Sequence, residues 1–291
     1  MARSADGGHG GAALPLPHDE QARAARWGHM SQRAERMASL SLGSGPPLLF
    51  LPGLTPSHQP PHGSSRRFQL QQMRLFAEHR AVWWVNRRQG LPPDVSMAGV
   101  ANDYAAMLRE WGDAPIDVLG VSTGGSVALQ LALDHPDLVR HLVLVASGCR
   151  LGARGQATQR SVMDSLRTGD RRQAGATLMG TAAAGPRTAR VLSALGWLLP
   201  GAAVARGAEP DLLAVLQAEA SLNLCDRLSV LTAPTLVVGG DRDAFYGEEV
   251  FRETVAALPN GRLVLYQDTG HLGTLRHTGL GRVVSDFLDN A

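Results

Sequence analysis

From Leu48 onward the apolar positions alternate between two kinds of spacing. Leu48-Leu49-Phe50-Leu51 is a continuous apolar run closed by Pro52-Gly53, as expected of a short strand buried on both faces. Phe68–His79 then sets Leu70, Met73, Leu75 and Phe76 at helical spacing, and Ala81–Val85 is a second apolar strand. Met97–Trp111 puts Val100, Tyr104, Met107, Leu108 and Trp111 on one helical face. Ile116–Leu119 is a third strand, Ser126–Leu133 an apolar helix and His141–Ala146 a fourth strand. The pattern then changes. Gly152 to about Leu228 holds no convincing strand and reads as helices near Gln159–Thr168, Arg171–Ala183, Thr188–Leu199 and Glu209–Leu222, punctuated by Gly and Pro. Alternation resumes with strand Thr235–Val238, helix Glu248–Ala257, strand Leu263–Tyr266 and helix Gly281–Leu288.

Strands separated by helices imply parallel pairing, right-handed crossovers and a sheet covered on both faces. The expected fold class is α/β: a mostly parallel, doubly wound sheet with an inserted all-helical cap over the carboxyl edge, where such folds place their sites. The expected organisation has four parts. Residues 1–28, rich in Gly, Ala, His and Arg, read as a mobile tail with a short helix near Glu20–Trp27. Residues 29–150 form the first part of the core, 151–228 the helical cap and 229–291 the second part of the core. No internal repeat is visible.

Composition narrows the chemistry. With 44% hydrophobic and 19% charged residues, a chain of 291 residues can bury a full core. A net charge of +2 leaves no footprint for nucleic acid or an acidic membrane surface. Every basic side chain apart from histidine is arginine, so Schiff-base chemistry, a P-loop lysine and a Ser–Lys dyad are excluded. Cys149 and Cys225 have neither the number nor the spacing of a zinc site. They read as two buried thiols, with a single bridge as the alternative. No targeting signal and no long uncharged apolar run is present, so a soluble cytoplasmic protein is expected.

The third strand runs directly into Gly120-Val121-Ser122-Thr123-Gly124. A Gly-x-Ser-x-Gly between an apolar strand and an apolar helix fits a nucleophile elbow. The serine must sit on a sharp, strained turn, and its neighbours approach so closely that only hydrogen fits as a side chain. The turn lifts the hydroxyl above the sheet and aims the N-terminus of the next helix at the reacting oxygen.

Four segments in order make the run Leu48 to Leu288 resemble the cap-bearing branch of the α/β-hydrolase family: Leu51-Pro52-Gly53-Leu54, the elbow, Ala233–Asp243, and Gly270-His271-Leu272-Gly273. The order Ser, Asp, His matches the family's order. The resemblance implies Ser122 as nucleophile, His271 as general base and Asp243 as the acid that orients the histidine. It implies the backbone N–H groups of Leu54 and Thr123 as oxyanion hole. The family often has His-Gly where this chain has Pro52-Gly53; the glycine is kept, and the polar support of a histidine is missing. Asp241, two residues before Asp243, reads as a turn residue bonding its own turn.

The remaining candidates have structural readings. His58 and His62 lie in the Pro-rich stretch Pro56–His62 and read as solvated loop histidines; His135 ends a helix; Trp83 and Trp84 pack a core; Arg87-Arg88 read as a solvated turn. Met179 and Trp197 are the candidate substrate-pocket residues within the cap. The expected activity is hydrolysis of a small-molecule carboxylic ester or lactone with a hydrophobic portion, through an acyl-enzyme and without cofactor or metal. The same residues suit cleavage of a C–C bond, amide or thioester, and a non-catalytic ligand receptor is the reading from another class. Epoxide hydrolysis and dehalogenation, which use an aspartate nucleophile, are excluded by serine at position 122. No nucleic-acid or membrane partner is expected, and oligomeric state is open.

Overall fold

The computed structural model describes residues 37–112 and 114–290. The expected tail at 1–28, with its helix near Glu20–Trp27, lies outside the described residues. The sheet has seven strands: β1 (Ser39–Leu42), β2 (Pro47–Leu51), β3 (Ala81–Val85), β4 (Ile116–Val121), β5 (Val139–Val145), β6 (Thr235–Gly240) and β7 (Gly261–Tyr266). Their order across the sheet is β1-β3-β2-β4-β5-β6-β7. All neighbours pair in parallel except β1, which runs antiparallel to β3 at the edge. Strand β1 was not expected; Ser39-Leu40-Ser41-Leu42 alternates with period two, but over four residues that signal is too short to stand out.

Helices α1 (Gly63–Arg74), α2 (Met97–Trp111), α3 (Thr123–Asp134), α8 (Gly247–Ala257) and α10 (Leu280–Asn290), with the short α9 (His271–Arg276), belong to the strand–helix alternation. Between β5 and β6 lie α4 (Ala153–Arg167), α5 (Arg171–Thr181), α6 (Pro186–Leu198) and α7 (Glu209–Ala220). Central strands β4 and β6 are buried along their whole length, as their near-continuous apolar sequences require. The core joins Leu48, Phe50, Trp84, Leu119 and Val143 on the strands to Val284 and Phe287 on α10. Each such fully buried side chain contributes about 1.5–3 kcal/mol relative to exposure. The inserted helices have a smaller core of their own, with Val162, Leu166, Ala174, Leu212 and Leu216 at its centre.

Two features position the site. Strand β2 lies between β3 and β4, so the crossover from β2 leaves to one side and the return from β3 passes to the other. The crevice at the carboxyl ends of β2 and β4 is therefore the switch point where such sheets bind ligands. The inserted helices are also stapled where they join the core. Cys149 and Cys225 form a disulfide with Cα atoms 5.0 Å apart. This replaces the expected pair of free thiols. Beside it Leu224 N–H donates to the Cys149 carbonyl at 2.9 Å and Arg150 bridges Asn223 antiparallel. The backbone of the two connections runs side by side, which brings the sulfurs together across 76 residues of sequence. No helix among the described residues is long and apolar enough to cross a membrane.

Candidate active site

Strand β4 ends at Val121 and α3 begins at Thr123, so Ser122 alone makes the turn. Its φ of 50° and ψ of −122° are a conformation that L residues rarely adopt, held by the packing around it. A Cβ at Gly120 would lie 2.4 Å from the Gly124 carbonyl oxygen, and one at Gly124 would lie 2.3 Å from that of Leu51. Neither position accepts a side chain. Ser122 N–H donates to Val145 O at 2.9 Å, and its own carbonyl accepts Gly125 N–H at 2.7 Å to start the helix.

His271 is the first residue of α9, and Asp243 sits in the loop after β6. The His271 Nε2 lies 3.0 Å from Ser122 Oγ, and its Nδ1 lies 2.7 Å from Asp243 Oδ2. An ionised carboxylate only accepts, so Nδ1 carries the proton and Nε2 is left to accept from the serine hydroxyl. The other carboxylate oxygen, Oδ1, accepts the N–H groups of Phe245 at 2.8 Å and Tyr246 at 3.2 Å. The Phe245 ring centroid is 4.8 Å from that of the imidazole, and the Tyr246 ring lies nearly parallel to the imidazole with centroids 6.2 Å apart. Asp241 accepts the backbone N–H of Arg242 in its own turn and also reaches further: its Oδ1 accepts Thr269 N–H at 3.0 Å, tying the loop after β6 to the loop before His271. Burial would raise the Asp241 carboxyl, yet donors from Thr269 and Asp268 and the Arg242 charge hold it below its ordinary pKa.

Ser122 and His271 open into a cavity of about 160 Å³. Gly53, Leu54 and Thr123 line it beside the serine. From the inserted helices come Gln159, Leu178, Leu216 and Glu219. Phe68, Phe245 and Leu272 complete much of the apolar wall.

The sequence matches the profile of the alpha/beta hydrolase fold over residues 46–278. The chain belongs to the alpha/beta hydrolase fold family. It is similar to the protein of Mycobacterium tuberculosis that carries the name non-heme bromoperoxidase BpoC, 27% identical over 245 residues that span 79% of this chain and 88% of the relative. A pimeloyl-[acyl-carrier protein] methyl ester esterase of Neisseria meningitidis is 30% identical over 186 residues, 61% of this chain and 58% of that protein. The crystal structure of the enol-lactonase from Burkholderia xenovorans superposes with a TM-score of 0.73 over 87% of this chain and 96% of the enol-lactonase, at 15% identity. This last likeness shows the fold.

Within the hydrolase, several expected residues sit elsewhere. Met179 and Trp197 are not among the residues lining the cavity. One step along α5 turns a side chain by about 100°, so Leu178 faces the cavity and Met179 does not. Trp197 is 46% exposed, with the Arg172 guanidinium 4.7 Å above its ring. His62 is exposed, but His58 is only 4% exposed, its Nε2 against the Asp211 carboxylate of α7. Burial first, then the Arg87 charge, lower His58 to about 4. Arg87 is buried as well, donating to Thr55 Oγ1 at 3.0 Å, and burial lowers it to about 10. The stretch after Leu54 lies under α7, which the sequence of the loop alone does not disclose. Glu219 and Gln159 were missed. Glu219 continues the spacing Leu212, Leu216 onto the buried face of α7, and a carboxylate on an apolar face was the available signal.

Proposed function

We propose that this hydrolase cleaves small carboxylic esters or lactones through an acyl-enzyme, with Ser122 as nucleophile, His271 as general base and Asp243 orienting the imidazole. The supporting observation is the continuous path Ser122 Oγ, His271 Nε2, His271 Nδ1, Asp243 Oδ2 at 3.0 and 2.7 Å, at the edge of a cavity. His271 removes the hydroxyl proton as Ser122 Oγ attacks the carbonyl carbon. The backbone N–H groups of Leu54 and Thr123, at the ends of β2 and β4, receive the oxyanion. His271 then protonates the leaving alkoxide, the alcohol departs, and a water activated by the same imidazole releases the acid. Asp243 keeps Nδ1 protonated throughout and stabilises the imidazolium.

The inserted helices act as a cap in this reading, because Gln159, Leu178, Leu216 and Glu219 close the cavity over the serine. A volume near 160 Å³ suits a benzene-sized group and so a small substrate. The names of the relatives, a methyl ester esterase and an enol-lactonase, agree with ester and lactone substrates. A cytoplasmic site of action belongs to this reading only if the Cys149–Cys225 bridge survives there, since disulfides persist chiefly in oxidising compartments.

The test is labelling with a fluorophosphonate, followed by turnover of an ester and lactone panel. One label per chain is expected on Ser122, absent in Ser122→Ala and in His271→Ala, with hydrolysis lost in parallel. Labelling that persists without His271 removes the histidine from its role. A chain that neither labels nor turns over any member is a binding protein on this fold.

A further inference from the structure

Two polar side chains of the inserted helices line the cavity without belonging to the path from Ser122 to Asp243. Glu219, on α7, is 2% exposed. Four donors converge on its carboxylate. Thr123 Oγ1 at 3.0 Å and Gln159 Nε2 at 2.5 Å reach Oε2. Ser126 Oγ at 3.0 Å and Tyr246 OH at 3.3 Å reach Oε1. Each donor offers a proton and the carboxylate has about four acceptor positions, so the protein itself satisfies an ionised Glu219. Burial pushes its pKa up, and these same donors oppose the shift.

Gln159, on α4, is 3% exposed. Its amide orientation follows from chemistry, since only the NH₂ end can donate to the Glu219 carboxylate. The carbonyl end is then left over. Gln159 Oε1 has almost no exposed surface and no hydrogen-bond partner among the described residues, so a ligand in the cavity that Gln159 lines reaches it as the side chain turns inward. Buried acceptors of this kind are rare and call for a partner. The surroundings add a second constraint. Among the described residues no arginine lines the cavity, and His271 is the one basic group in its wall. A carboxylate, an unpaired carbonyl oxygen and no cation to answer an acid make the far wall electronegative.

We propose that Gln159 and Glu219 form a subsite that takes a hydrogen-bond-donating, non-anionic group of the substrate, a hydroxyl, amine or amide N–H, and rejects substrates with a carboxylate there. The proposal deepens the ester-hydrolase reading and rests on it. Gln159 Oε1 accepts the donor, and Glu219 acts through its field and by holding the Gln159 amide in place. Lacking that donor, a substrate leaves the carbonyl unpaired; carrying an anion, it meets uncompensated negative charge.

Three p-nitrophenyl esters of similar size test this: 3-hydroxybutyrate, isovalerate and hemisuccinate. The wild type should prefer the 3-hydroxybutyrate ester to the isovalerate ester, which has a methyl in place of the hydroxyl, by roughly tenfold in kcat/KM. It should disfavour the hemisuccinate by about tenfold or more. Gln159→Met should abolish the hydroxyl preference, and Glu219→Gln should bring the anionic ester to within about threefold of the isovalerate. Unchanged ratios in both variants overturn the subsite. A rate that survives Ser122→Ala instead overturns the hydrolase reading. A binding measurement keeps the two apart without turnover. Saturation-transfer NMR of Ser122→Ala with methyl 3-hydroxybutyrate, methyl isovalerate and monomethyl succinate should rank them in that order, and equal binding of all three also overturns the subsite.

Discussion

The carboxylate of Asp243 holds His271 Nδ1 through Oδ2 at 2.7 Å while its Oδ1 is fixed by the N–H groups of Phe245 and Tyr246. The acid cannot swing away from the imidazole without breaking both backbone bonds. Asp241, two residues earlier, spends its side chain on Thr269 N–H. Asp243→Asn keeps the shape but presents an amide that favours the wrong imidazole tautomer. Steady-state kinetics should show kcat falling by about 10⁴, as in serine-protease triads. Asp241→Asn should cost about 1 kcal/mol of stability and leave kcat within severalfold. A dead Asp241→Asn beside a normal Asp243→Asn reverses the assignment.

At the opposite end of β4 from Ser122, Asp117 is fully buried and gathers three cationic or protonatable partners. Arg80 Nη1 reaches Oδ2 and Arg140 Nε reaches Oδ1 at 2.8 Å; His141 Nδ1 also lies 2.8 Å from Oδ1. Removing the carboxylate that these three share leaves the buried Arg80 guanidinium with Asp289 as its remaining ion-pair partner among the described residues. Asp117→Ala should lower the unfolding free energy by about 3–5 kcal/mol in urea titrations. The fraction that remains folded should keep its kcat, because the change lies a strand's length from the serine. A loss below about 1 kcal/mol would mean that water replaces the carboxylate.

The parts that were legible in the sequence are those set by short-range rules. The strands from Leu48 to Tyr266 are short apolar runs that no other element suits, and Ser122 lies between two glycines that a tight turn demands. What was not legible depends on distant partners. His58 looked solvated because its loop is rich in proline, and it is buried because α7, far along the chain, lays Asp211 on it. Cys149 and Cys225 gave no framework by spacing, and they pair because two connecting segments run side by side. Trp197, a candidate pocket residue within the inserted helices, is turned outward on α6 and left 46% exposed.

The bridge between Cys149 and Cys225 closes a loop of 76 residues that contains all four inserted helices. By the loop-entropy estimate such a link contributes about 4 kcal/mol by restricting the unfolded chain. The protein purified without reductant should show no free thiol to a thiol reagent until it is denatured and reduced. Cys225→Ser, or reductant added to the wild type, should lower the melting temperature by roughly 10 °C. An unchanged melting temperature on reduction would show that the hydrogen bond from Leu224 to the Cys149 carbonyl and the surrounding packing hold the joint without the sulfurs.

His58 makes stability depend on pH in a direction that can be worked out. The ordinary histidine value of 6.5 is lowered to about 4 by burial and by Arg87, against the opposing pull of Asp211. In the fold the ring is therefore neutral at pH 7, with Nε2–H donating to the Asp211 carboxylate. Between pH 6.5 and 4 the unfolded chain binds a proton that the folded chain refuses, so stability rises with pH across this window and is lost on acidification. The full shift corresponds to about 3 kcal/mol, and about 2 kcal/mol of it falls between pH 6.5 and pH 5. Other carboxylates titrate in the same range, so the informative quantity is the difference between wild type and His58→Gln. Glutamine keeps a donor for Asp211 and does not titrate. Urea unfolding at pH 7 and pH 5 should show the wild type losing about 2 kcal/mol more than the variant. The opposite sign, with wild type gaining on the variant as the solution is acidified, would show that His58 and Asp211 form a charged pair strong enough to overcome burial.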